Sequence, residues 1–255
     1  MSAPQFTVRF AECEADIKSA LRLRYQVFVQ ELGGDGALVE HADRLERDAF
    51  DAFSDHLLLI DETRNTDALE HVVGVYRLLS QEGAAKAGQF YSESEYDLSK
   101  LKASGRKLLE LGRSCLHADY RGGVGVFHLW NALAEHVAAE QIEVLFGVAS
   151  FHGTDIDRLA APLSLLHHRH LAPEALRVTA RAECFQSMEL VAEDALERRE
   201  AMLAVPALIK AYLRLGGVVG EGAYIDHAFN TTDVCLVLDT AKMNAKRSKL
   251  YETRR

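Results

Sequence analysis

Apolar residues change their period several times along this chain, and each change marks an element. Residues 6–10 (FTVRF) have the character of a short strand. From about residue 14 to 29 apolar positions recur at helical spacing, placing Ile17, Leu21, Arg24 and Phe28 on one face. Residues 30–54 are acidic, contain glycine and are too polar for a core, which predicts a loop. Two apolar runs, HLLLID over 56–61 and HVVGVYRLL over 71–79, predict an antiparallel hairpin. The segment 89–101 separates that hairpin from a strand over 107–117, a helix over about 123–140 and a buried strand over 143–151. Beyond these the pattern predicts a helix over 162–170, a strand over 176–182 and a helix over 205–215. Short strands over 218–219, 223–227 and 233–238 complete it. Antiparallel strands interspersed with a few helices predict an α+β (mixed α/β) fold, a sheet flanked by helices. The expected organisation is a core over residues 1–200, a C-terminal helix and strands over 201–240 packing on it, and a tail over 241–255.

Composition narrows the function classes more than it alters this picture. The chain has 255 residues, 48% hydrophobic and 26% charged, enough to bury a substantial core. Its net charge of -9 argues against nucleic-acid binding, which needs clustered lysine and arginine. The tail departs from the average: Lys242, Lys246, Arg247, Lys249, Arg254 and Arg255 face Glu252 alone, a composition suited to loose contact with an anionic surface. Cys13, Cys115, Cys184 and Cys235 are widely spaced and read as free thiols of a reducing compartment. No apolar signal core or membrane-spanning run is present, so a cytoplasmic location is expected, peripheral at the inner membrane if the tail makes that contact.

Chemistry concentrates in a few places. Arg24 interrupts an apolar helical stripe, and burying its charge alone would cost several kcal/mol. Either a buried ion pair or a cation lining a cleft accounts for it. Asp48 and Asp51 in DAFD are close enough to converge on one cation if the loop turns there. In the strand LLELGRS over 108–114, alternation places Glu110 and Gly112 on one face and Arg113 on the other, unless a bulge intervenes. A glutamate among leucines suits either a general base for an ammonium or a core ion pair with Arg24, Arg77 or Arg113. Beyond this strand come Arg121, Gly122, Gly123 and Gly125 and an apolar helix. Unpaired amides at a helix start, with glycine and arginine, suit a phosphate. Cys115 has no activating histidine at a recognisable spacing. The run His167, His168, Arg169, His170 fits no zinc motif and is expected to have no cysteine or carboxylate beside it, so no metal is expected.

Taken together, these residues resemble the bacterial L-ornithine N-alpha-acyltransferases. The matching pieces include LRLRYQVFVQELG, DAFD, VVGVYRLL, FYSESEYDLSKL, LELGRSCLHADYR, ASFHGTD, PALIKAYLRLGG and DHAFNTTDVCLVL, in order over nearly the whole chain. More remotely, RYQVF, DAFD, GVYRLL and ELGRS resemble the N-acyl-homoserine lactone synthases. The resemblance implies a GNAT-like acyltransferase fold, although Val124 stands where the usual glycine-rich signature of that fold has its first glycine. It implies transfer of a 3-hydroxyacyl chain from acyl carrier protein to the α-amine of ornithine, giving lyso-ornithine lipid, with no permanently bound cofactor. Glutamine is the alternative acceptor; a homoserine lactone synthase and a non-catalytic lipid-binding protein are the rival readings. By the same resemblance Glu110, Asp51 and Arg113 are the catalytic candidates, and Arg24, Phe28, Asp48 and Arg77 bind substrate. Arg121, Gly122, Gly123 and Gly125 hold the phosphopantetheine arm of the donor. Phe28, Phe90, Phe127 and Trp130 are candidate walls for the acyl chain.

Overall fold

The computed structural model describes residues 3–37, 39–122 and 124–242. The chain divides into two compact units: residues up to Gln89 with Leu111–Gln141, and Phe90–Glu110 with the chain from Ile142 onward. In chain order the elements are β1 (Phe6–Phe10), α1 (Glu14–Arg24, prolonged by a π-helical stretch Tyr25–Glu31), β2 (Asp55–Asp61), β3 (Val72–Ser80) and α2 (Gln81–Ala87). There follow β4 (Tyr96–Asp97), α3 (Ser99–Ala103), β5 (Leu108–Leu116), α4 (Gly125–Ala139), β6 (Val144–His152) and α5 (Ile156–His170). The remainder comprises β7 (Thr179–Ala180), β8 (Phe185–Gln186), α6 (Arg198–Ala204), α7 (Ala207–Leu215), β9 (Val218–Val219), β10 (Ala223–Asp226) and β11 (Thr231–Asp239).

In the first unit β1 pairs antiparallel with β2, and β2 with β3, as the hairpin pattern predicts. Strand β2 is buried from His56 to Asp61 because helices cover both its faces. Ala20, Leu23 and Val27 of the first helix pack with Leu58, Ile60, Val72, Val75 and Cys115, and Phe28 lies against this cluster. The other face receives α4. A Cβ on Gly74 would come within 2.6 Å of Leu116 and 2.9 Å of Leu129, so only glycine lets helix and strand approach this closely. The stripe against the sheet therefore differs from the expected Ile17–Leu21–Arg24–Phe28. Leu21 and Arg24 face the segment around Glu46, whose amide donates to the Leu21 carbonyl at 3.1 Å. The loop 30–54 is correspondingly not all solvent-facing, for Leu45 and Glu46 are buried.

In the second unit Leu108–Glu110 of β5 pair in parallel with Val144–Phe146 of β6. Strand β6 runs antiparallel to β11 along nine paired positions, Val144 to His152 against Asp239 to Thr231, and β11 continues through β10 to β8. Buried Tyr96 donates its hydroxyl to the carbonyls of Gly222 at 3.0 Å and Asp233 at 2.9 Å, tying β4 to these strands. Helix α5 begins at Ile156, six residues before the expected start, with Asp155 accepting from the Arg158 amide at its N-terminus and Pro162 inside the helix. The expected strand over 176–182 is only the two-residue β7, paired with β4.

Candidate active site

Burial of guanidinium groups governs the chemistry of the first unit. Arg24 and Arg77 are 0% and 2% exposed, which is tolerable only with carboxylates in contact. Arg24 donates through Nε to Glu46 at 2.5 Å and through Nη1 to Asp51 at 2.6 Å. Arg77 donates through Nη1 to Asp48 at 2.5 Å and Asp51 at 3.1 Å, and its guanidinium lies 5.8 Å from the Phe50 ring centroid. Arg113 reaches Glu46 at 3.2 Å and Asp48 at 2.8 Å. Three cations and three carboxylates thus form one neutral network, and Asp51 also accepts from the Asp48 amide at 2.9 Å. Burial pushes the Asp51 carboxyl up, but Arg24 and Arg77 outweigh it and hold the group well below the usual carboxylate range. Asp48 is likewise raised by burial and lowered further by Arg77 and Arg113, with a net downward shift. Arg24 Nη2 is buried and lacks a hydrogen-bond partner among the described residues.

The expected alternation along β5 does not hold at its middle. Arg113 has φ of 49°, a left-handed conformation uncommon for a non-glycine residue. A Cβ on Gly112 would lie 3.6 Å from Arg77 Nη2, so Gly112 and Arg113 both turn toward the network. Cys115 is buried, and burial pushes its thiol up to about 12, making it a poor nucleophile.

In the second unit, buried Glu110 receives donors from the short turn Tyr91–Ser94. The Tyr91 amide donates to Oε2 at 2.8 Å and the Ser92 amide to Oε1 at 2.7 Å; the Ser92 hydroxyl also donates to Oε1. The carboxylate is held in a fixed direction as a result. Phe90, at the start of the turn, packs edge-to-face on Phe146 with centroids 5.0 Å apart.

The glycine-rich connection before α4 is partly as expected. Gly122 has φ of +76°, and Val124 at the helix start makes no side-chain cap, leaving first-turn amides without one. Gly125 opens α4 where a Cβ would come within 2.9 Å of Leu59, so its place is also dictated by helix packing. Gly123 lies outside the described residues, as does the tail from residue 243. Arg121 is engaged by Glu31 at 2.6 Å and by the Leu116 carbonyl at 3.1 Å. Of the aromatic residues on α4, Phe127 is 64% exposed, whereas Trp130 is half-buried and donates to the Tyr76 hydroxyl at 3.2 Å.

Residues 23–131 match the acetyltransferase (GNAT) domain family. The chain is 58% identical to the L-ornithine N(alpha)-acyltransferase of Rhodobacter capsulatus, covering 98% of this chain and 95% of that protein. The chain belongs to the L-ornithine N(alpha)-acyltransferase family. A second member, from Brucella abortus, is 39% identical over 96% of this chain and 88% of its own length. Among solved structures, the CoA-dependent acyl-homoserine lactone synthase BjaI superposes with a TM-score of 0.52 at 14% identity, covering 96% of this chain and 89% of that one, a likeness of fold. The protein is therefore a GNAT-fold acyltransferase.

In this acyltransferase the residue not anticipated from sequence is Glu46. It joins Arg24 to Arg113, and its signal was arithmetic: three arginines in apolar segments need more carboxylates than DAFD supplies. The histidine run, expected to have no carboxylate beside it, has Glu189 within 3.9 Å of His167. His168 is engaged by the Val191 carbonyl at 2.9 Å. Among the described residues no helix is long and apolar enough to cross a membrane.

The depressed carboxylates of the network set an acid limit. A group lowered in the folded state adds stability in full above its unfolded value, about 3.9 for aspartate, and loses it as pH falls through the folded value. The difference in melting temperature between Asp51→Asn and the parent is thus expected to be constant from neutral pH to about pH 5 and to shrink below about pH 4. A difference that stays constant into acid would show that Asp51 does not carry this linkage.

Proposed function

We propose that this enzyme transfers a 3-hydroxyacyl chain from acyl carrier protein to the α-amine of ornithine, producing lyso-ornithine lipid. The observation that carries this reading is the nearly full-length identity of 58% to a protein named L-ornithine N(alpha)-acyltransferase. Transfer is direct, within a ternary complex. The α-ammonium of the acceptor must first lose a proton, and Glu110 is the proposed base, acting directly or through one water. The free amine then attacks the thioester carbonyl, forming the amide bond as the carbon–sulfur bond breaks and the thiol of the carrier arm leaves.

The neutral network supports a positioning role for Asp48, Asp51, Arg77 and Arg113, which hold residues 46–51 against the strands. Arg24, fully buried, is proposed to support the site for the acceptor carboxylate from within the network rather than by direct contact. Phe28 is proposed to line the substrate site. Gly122, Gly123, Gly125 and Arg121 are proposed to receive the phosphate of the donor arm through the start of α4. For Arg121 this requires sharing or releasing Glu31. A loose contact of the product-forming enzyme with the inner membrane through the basic tail completes the reading.

Purified enzyme offered 3-hydroxyacyl carrier protein with ornithine, glutamine or a homoserine-type acceptor, read by mass spectrometry, tests it. Lyso-ornithine lipid is the expected product. Product with glutamine alone would reassign the acceptor, and no product with any acceptor would remove the donor and acceptor assignment together.

A further inference from the structure

Separate from the neutral network in both lining and charge, a cleft of about 240 Å³ opens in the first unit. Its floor includes the buried side chains of Leu23 and Val72. Arg22, Gln26 and Gln30, each four residues from the next, line one wall along the first helix. Tyr25, Gln26 and Gln30 belong to the π-helical stretch Tyr25–Glu31, a backbone departure often found at functional sites. Arg44 and Arg64 contribute from the opposite segments. The turn carrying Arg44 is closed by reciprocal bonds between Glu40 and Leu45 of 2.9 and 3.1 Å. At the end of β5, His117 Nδ1 accepts from the Asp119 amide at 3.3 Å, so the neutral ring presents N–H at Nε2 toward its surroundings.

The charge of this lining is the decisive feature. Unlike Arg24, Arg77 and Arg113, neither Arg22 nor Arg44 has an ion-pair partner among the described residues. Arg64 lies 3.8 Å from Glu70, the one carboxylate of the lining, and its guanidinium is 5.9 Å from the Tyr120 ring centroid. Guanidinium, amide and imidazole donors therefore outnumber acceptors in a small concave site. A cationic amino acid would find too few acceptors there. A phosphate group, with several strong acceptor oxygens and more than one negative charge, matches the donor set, and arginine is the residue whose geometry suits it.

We infer that the cleft bounded by Arg22, Arg44 and Arg64 binds the phosphate group of a small phosphorylated ligand. The cleft shares no lining residue with Arg121, Gly122 and Gly125 before α4, and the inference goes beyond the acyl-transfer reading. Its test is a binding measurement, so failure of either idea leaves the other standing.

The test is calorimetry on the full chain at neutral pH and low salt, with inorganic phosphate and 4′-phosphopantetheine titrated separately. Saturable binding of at least one is expected. The double variant Arg22→Gln/Arg44→Gln should weaken it about 10- to 100-fold, two charge-assisted contacts being lost. Its melting temperature without ligand should match the parent, because both side chains are exposed and unpaired in the structure. Glu70→Gln should instead tighten binding about two- to fivefold by removing the opposing charge. Equal affinity for both ligands would assign the site to phosphate alone. Tighter 4′-phosphopantetheine binding that the double variant abolishes would assign it to a phosphorylated arm. Absence of binding by both ligands, or affinities unmoved by the double variant, would overturn the inference.

Discussion

Replacing Glu46 by alanine is expected to destabilise the fold by about 3–5 kcal/mol, as much as any single side-chain truncation in this chain. The carboxylate is 1% exposed and serves two cations, Arg24 at 2.5 Å and Arg113 at 3.2 Å. Its removal leaves Arg24, itself fully buried, with Asp51 as its remaining carboxylate and a network carrying one excess positive charge. Urea unfolding followed by far-UV circular dichroism measures the loss. Adding Arg24→Met to the alanine variant should recover part of it, because removing both members of a buried pair is far less costly than removing one. A loss below about 1 kcal/mol, with no recovery in the double variant, would mean that water reaches Arg24 and that the network does not govern this region.

This network also shows how far sequence carries the argument. Arg24 stood out because it interrupts an apolar helical stripe, and Asp48 and Asp51 because DAFD brings two carboxylates within one turn. Both signals are local. The resemblance singled out Arg77 and Arg113 as site candidates but not their pairing with these groups, and the structure joins them by direct ion pairs. Glu46 remained hidden because a polar segment reads as a solvated loop unless the buried cations it must satisfy are counted. The strands β2, β3, β5, β6 and β11 were legible because buried central strands impose long apolar runs, whereas two-residue strands such as β7 exist only through tertiary pairing. The π-helical continuation of α1 was invisible for a different reason. Periodicity near 3.6 residues does not reveal a local widening of the turn, and the widened stretch contains Tyr25, Gln26 and Gln30 of the cleft lining. The left-handed Arg113 likewise defeats simple alternation, since its positive φ lets the consecutive residues Gly112 and Arg113 turn to the same side. Glu189 meets His167 only because a segment some twenty residues later folds back on α5.

Replacing Glu110 by glutamine is expected to lower kcat for acyl transfer by about 10²- to 10⁴-fold, the usual contribution of a positioned general base, with the KM for the acyl carrier little changed. The experiment must separate proton removal from the carboxylate's other contacts. Glu110 anchors the turn Tyr91–Ser94 through two amides and the Ser92 hydroxyl, so glutamine also disturbs that turn by setting an NH2 group against donors. Ser92→Ala provides the comparison, because it deletes the hydroxyl donor yet leaves the carboxylate and both amide bonds. If Glu110 removes the proton, the glutamine variant loses far more activity than Ser92→Ala at equal melting temperature, and the carboxylate limb of the pH–rate profile disappears with it. If the two variants lose activity equally and keep the same pH profile, Glu110 acts only by holding the turn, and the base must be sought elsewhere.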